Sequence, residues 1–143
     1  MRYLVATDGS EEADDAVRYA STQANAFDAT LEIVHVLTPE TKLVDGDIVL
    51  AGGNRAIELG ERTLQEAKGL AGDVPDGSDE SLDVETQLLT GPPADAIVDH
   101  SREVDADAIY VGHRGLSEER EEVVGSVAKS VVDKATVPVT VIR

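Results

Sequence analysis

The chain has 143 residues, 41% of them hydrophobic, which suits one domain with a real core. Twenty-nine acidic against 12 basic residues set the formal net charge at -17, and this excludes nucleic acid and anionic membrane as main partners, since both need a positive footprint. With no cysteine, disulfides, thiolate metal sites and cysteine nucleophiles are ruled out.

Residues 2–7, "RYLVAT", form a short β-branched and aromatic run and predict a strand. "DGS" follows as a turn. Ser10 is placed to cap a helix whose first turn holds Glu11 and Glu12, and Ala13, Ala16, Val17, Ala20, Ala24 and Phe27 recur at helical spacing. "TLEIVHVL" (30–37) predicts a second strand, stopped by Pro39. Residues 38–53, with Gly46, Gly52 and Gly53, have no strong period and predict mostly loop with at most a helical turn. Ile57, Gly60, Leu64, Ala67 and Ala71 mark a second helix over about 54–70, and the acidic stretch 72–83 predicts a surface loop.

"VETQLL" (84–89) is the third predicted strand. Glycine and two prolines then introduce a helix whose buried face holds Ala94, Ile97 and Val98. "ADAIYVG" (106–112) is nearly all apolar, as a strand buried on both faces should be. Val127, Val131, Val132 and Ala135 mark a fourth helix, and "VPVTVI" (137–142) is the last strand, with Pro138 near its start as an edge strand permits. The alternation β-α-β-α-β-α-β-α-β predicts an α/β fold: an open five-stranded parallel sheet with helices on both faces. Ligands of such sheets sit beyond the carboxyl ends of the strands at the topological switch point. Two loops qualify, "TDGS" after the first strand and "GHRGLSEEREEVVGS" after the fourth.

In the second loop, Gly112 ends a buried strand where a missing Cβ allows close approach, and Gly125-Ser126 opens a helix whose N–H groups and dipole suit phosphate. There is no Walker lysine motif. His35, His100 and His113 lie far apart without ligand spacing, so a histidine metal site is not expected. His35 reads as a satisfied core residue, His100 as a helix-surface residue, and Gly60 as a packing contact. His113 and Arg114 are either solvent-exposed or in contact with a ligand. No Ser-His-Asp arrangement or evident general base is present, so at most slow hydrolysis is supported.

The spacing G-x2-G-x9-G-S, with "ATDGS" after the first strand and a closing "VP" strand, resembles the universal stress protein family in its ATP-binding branch. The likeness covers essentially the whole chain, 1–143, as one domain. It implies the Rossmann-like, adenine-nucleotide α-hydrolase-like fold. It also implies that Thr7 and Asp8, at the end of the first strand, belong to the binding residues, with Asp8 meeting ribose or a phosphate-bound Mg²⁺ or Mn²⁺. Val36 would meet adenine through its backbone. Gly112, His113, Arg114 and Gly115 would contact ribose and phosphates, and Gly125, Ser126 and Val127 would complete the phosphate loop. One departure is His113, where the family often carries Ser or Thr. The implied function is a homodimeric ATP-binding stress sensor or regulator, paired through strand 137–142 and acting on an unidentified regulatory protein. The alternative is a dimeric protein-interaction module of the same family without nucleotide. An enzyme of the related hydrolase-like fold would need an N-terminal motif such as SGGxDS, which "TDGSEE" does not supply.

The N-terminus lacks a signal-peptide pattern, and no apolar run approaches the roughly 18 residues that span a bilayer, so a soluble cytoplasmic protein is the expectation. The acidity, with four lysines among the basic residues, resembles proteins of salt-loving microbes. Glu118, Glu119, Glu121 and Glu122 sit inside the anion loop. A carboxylate about 8 Å from a phosphate charge costs roughly 0.5 kcal/mol in bulk water, so four against several charges would total a few kcal/mol. At about 1 M salt the Debye length is near 3 Å and these terms nearly vanish. Salt is therefore expected to raise nucleotide affinity.

Overall fold

The computed structural model describes residues 1–37, 42–44, 47–49, 54–72, 82–113 and 125–143. Along the chain these form β1 (Arg2–Ala6), α1 (Glu11–Ala26), β2 (Thr30–Leu37), β3 (Lys42–Val44), β4 (Asp47–Val49), α2 (Asn54–Gly72), β5 (Val84–Thr90), α3 (Pro93–Glu103), β6 (Ala108–Gly112), α4 (Ser126–Lys134) and β7 (Val139–Ile142). Five strands make one parallel sheet in the order β5-β2-β1-β6-β7, the predicted architecture. The exception lies in the segment expected to be mostly loop. There β3 and β4 pair antiparallel, Lys42 opposite Val49 and Val44 opposite Asp47. Strands of three residues are too short to display a period, although Val and Ile favour extended backbone.

Alternation along the strands divides the interior into two cores. Tyr3, Val5 and Ile33 face α1 and α2, where they meet Val17, Ala20 and Leu64. Leu4, Val34 and Ile109 face α3 and α4, where they meet Ile97, Val98 and Val131. Successive strand side chains point to opposite faces, so a run such as Leu4-Val5 must be apolar throughout.

Helix ends follow from local chemistry. Ser10 is extended (φ -74°, ψ 164°), its Oγ accepts from the Ala13 amide, and Glu11, Glu12 and Asp14 occupy the favoured first turn. α1 and α3 stop in the same way. Asp28 (φ 54°) and Asp105 (φ 53°) adopt the left-handed conformation that Asp tolerates better than most residues. The next amide then reaches back into the last turn, Ala29 to the Ala24 carbonyl at 2.8 Å and Ala106 to the Ser101 carbonyl at 2.9 Å.

His100 departs from its expected place on the helix surface. Its side chain is only 12% exposed, and Nε2 bonds Glu32 Oε1 on β2. Arg2 Nη1 meets Glu32 Oε2 and Glu85 Oε2, each at 2.6 Å. A carboxylate buried in mid-sheet needs partners, and α3 supplies one by turning a polar residue inward.

Candidate functional site

The chain leaves β1 to build β2 and β5 on one side, then returns to add β6 and β7 on the other. The switch point therefore lies between β1 and β6. The order β2-β1-β6 sets side by side the strand ends that carry Val36, Thr7-Asp8 and Gly112-His113.

At the end of β1 the turn is held by its own side chains. The buried Thr7 donates its amide to the Val34 carbonyl at 2.9 Å, and its Oγ1 accepts from the Gly9 amide at 3.1 Å. Asp8 Oδ1 accepts from the Ser10 amide at 2.9 Å, and Gly9 takes φ +84°, which glycine adopts without strain. Half-buried Asp8 is thus oriented by the turn. Among the described residues no three His, Asp or Glu side chains gather to hold a metal, so a cation at Asp8 would need phosphate oxygens as further ligands. Nearby, burial pushes the Asp14 carboxyl above its usual range; Arg18 opposes this, while Asp15, Glu66 and Asp8 add to it.

At the end of β6, Gly112 pairs with Ile142. The notional Cβ of Gly112 meets backbone of α1, Glu12 C and O at 3.0 Å and Ala13 N at 3.2 Å. Its close approach is to a helix, where the sequence suggested a ligand. The His113 ring is buried, its amide donates to the Ile142 carbonyl at 2.8 Å, and its carbonyl accepts from the Gly125 amide. The β6 end and the α4 start are thereby joined directly. The Gly125 amide is engaged in this junction, while Ser126 and Val127 stand exposed on the first turn of α4. Arg114 and Gly115, and the four glutamates after them, lie outside the described residues.

The two helix starts differ. That of α1 is capped by Ser10 and carries three acidic residues. That of α4 has Gly125 as N-cap, no side-chain cap hydrogen bond and no acid in its first turn. Of the two, α4 has the end suited to an anion.

At the end of β2, Val36 is half-buried and packs on the α3/α4 core. His35 Nδ1 lies 2.8 Å from the Thr7 carbonyl, so the histidine expected to be satisfied is hydrogen-bonded across to the candidate site. Along the sequence His35 shows only an alternation with Leu31, Ile33 and Leu37. Nothing local could show that the acceptor is the backbone of Thr7. Gly60 is the expected packing contact: a Cβ there would stand 2.7 Å from Leu88 Cδ1.

A doubly wound α/β sheet, with a glycine-bordered loop leading into a glycine-capped helix at its switch point, is a Rossmann-like fold of the kind that receives ligands at strand ends. The model of the universal stress protein family matches residues 1–143, and the chain belongs to that family. It is 34% identical over 140 residues to a universal stress protein of Thermus aquaticus, spanning 98% of this chain and 96% of the relative. The universal stress protein of Archaeoglobus fulgidus in complex with dAMP superposes with a TM-score of 0.75 at 29% identity, covering 100% of this chain and 98% of that one. A universal stress protein crystallised in complex with cAMP gives a TM-score of 0.73 at 27% identity, with 100% and 96% covered.

Proposed function

We propose that this chain is an ATP-binding universal stress protein, a homodimeric, cytoplasmic sensor or regulator of stress in a salt-adapted organism. The observation that carries the reading is the His113–Gly125 bond, which joins the glycine-capped start of α4 to the end of β6, the strand that neighbours β1 and its Asp8 turn. Nucleotides bound by similar structures, dAMP and cAMP, support an adenine ligand here. Thr7, Asp8, Val36, Gly112, His113, Arg114, Gly115, Gly125, Ser126 and Val127 are the proposed binding residues, with Mg²⁺ or Mn²⁺ held between Asp8 and the phosphates. Val36, on the neighbouring strand end, is proposed to meet adenine through its backbone. The engaged Gly125 amide points to a supporting role for that residue, with the phosphates left to the helix turn beyond it. Hydrolysis, if any, is slow, and the regulated partner is another protein.

Dimerisation is assigned to β7. It is an edge strand, residues 137–142 carry no charge, and Val139–Ile142 are all half-buried, so its open edge suits pairing with a second copy. Among the described residues no helix is long and apolar enough to cross a membrane.

Calorimetric titration of the purified protein with ATP and Mg²⁺ tests the reading. One saturable site per chain is expected, lost on Gly115→Val with unchanged circular dichroism. No heat, and no adenine absorbance released from the denatured protein, would favour the nucleotide-free interaction module, which the buried imidazole in place of a hydroxyl at position 113 also supports.

A further inference from the structure

Where β1 ends, its ladder with β2 is completed by a side chain. The parallel pairing runs from Arg2 opposite Thr30 to Ala6 opposite Val34, and the Thr7 amide extends it to the Val34 carbonyl. In a parallel ladder the next rung would join the Val36 amide to the Thr7 carbonyl. Among the described residues no backbone bond joins those two. The Thr7 carbonyl receives His35 Nδ1 at 2.8 Å. A carbonyl only accepts, so Nδ1 carries the proton.

The ring has its place because α2 presents glycine to it. A Cβ on Gly60 would lie 3.3 Å from His35 Cδ2 and 3.1 Å from Leu37 Cδ2. Any larger residue there would press on the imidazole and on its neighbours in the same layer.

We propose that His35 is a positioning residue for nucleobase binding. By taking the Thr7 carbonyl it leaves the amide of half-buried Val36 as a donor beyond the end of β1, for a ring acceptor of the base. It also fixes the carbonyl one residue before Asp8, so one imidazole orients both the base end and the β1 turn. The inference rests on the nucleotide reading above.

The test compares wild type, His35→Phe and His35→Asn. Phe keeps a ring without a donor, and Asn keeps a donor at the position of Nδ1. Amide hydrogen exchange is followed by NMR without ligand, and AMP binding by calorimetry. In the wild type the Val36 amide should exchange faster than the ladder-bonded Val34 amide, and it should shift on adding AMP. His35→Phe should slow Val36 exchange, as the ladder extends, and weaken AMP about tenfold, the loss of roughly one oriented hydrogen bond. His35→Asn should stay close to wild type in both. A Val36 amide as protected as Val34 in the wild type overturns the proposal, as does equal AMP affinity of wild type and a folded His35→Phe. If His35→Phe does not fold, the wild-type exchange rates and the Asn variant still decide. Absence of AMP binding by the wild type sinks the nucleotide reading and this inference with it. The Val36 exchange rates then still report the ladder geometry separately.

Discussion

Gly112 and Glu12 lie backbone to backbone: a Cβ on the glycine would stand 3.0 Å from both the carbonyl carbon and oxygen of Glu12. The end of β6 is thus seated on the first turn of α1, the turn capped by Ser10 and preceded by Asp8. The two halves of the candidate site share one rigid contact with no side chain to give way. A glycine that the motif marked for ligand approach has a structural duty as well.

Gly112→Ala should therefore destabilise the fold by about 1–3 kcal/mol, the usual cost of inserting a methyl against unyielding neighbours. Equilibrium urea unfolding measures it. AMP affinity should fall in the same variant, because the β1 and β6 ends move apart. Wild-type stability in Gly112→Ala would show that the contact relaxes freely.

Glu32 joins β1 and α3 through Arg2 and His100. Removing Glu32 takes one partner from Arg2, which keeps Glu85, and leaves the mostly buried His100 Nε2 without its carboxylate. Glu32→Ala should lose about 2–3 kcal/mol in urea unfolding. Glu85→Ala should lose far less, since that carboxylate is 51% exposed although Arg2 holds it below its ordinary range. Similar losses for the two variants would contradict the central place of Glu32.

All four aromatic side chains gather where α1 crosses β1 and β6: Tyr110 lies 5.7 Å from Tyr3 and 6.0 Å from Tyr19, and Tyr3 lies 6.4 Å from Phe27, ring centre to ring centre. Burial, with Tyr3 and Tyr19 adding, pushes the Tyr110 hydroxyl from 10.0 up to about 12. The folded value is the higher one, so the unfolded chain releases this proton first. The contribution to stability is complete below pH 10 and is lost as pH rises toward 12. Tyr110→Phe should remove the late component of the phenolate absorbance titration and flatten the fall in stability across that window. An unchanged titration curve would place the late-ionising hydroxyl elsewhere.

Nucleotide affinity should rise with salt. With a net charge of -17, and with Glu11, Glu12 and Asp14 in the helix turn that follows Asp8, phosphate approaches an acidic surface. Screening shortens the reach of that field from about 10 Å at 0.1 M to about 3 Å at 1 M. Calorimetry with AMP at those two ionic strengths should show severalfold tighter binding in the higher salt. Weaker binding there would mean that attraction to basic groups dominates.

The sequence by itself determined the five parallel strands, the two-faced helix arrangement, the Ser10 cap and the glycine-bordered loop. Each depends on a period or a spacing within a few neighbouring residues. The same locality explains why the candidate site was legible as two loops, "TDGS" and "GHRG…GS", without their internal bonding. Tertiary structure decided what those residues do. His100 turned inward because Glu32, 68 residues away, needed a partner. Gly112 meets α1, the Gly125 amide meets His113, and His35 meets Thr7, and none of these partners can be inferred from the residue's own neighbours. The β3–β4 pairing is not legible in the sequence because three residues carry no period. Close approach and hydrogen-bond pairing are properties of positions in space, and only the folded sheet brings those positions together.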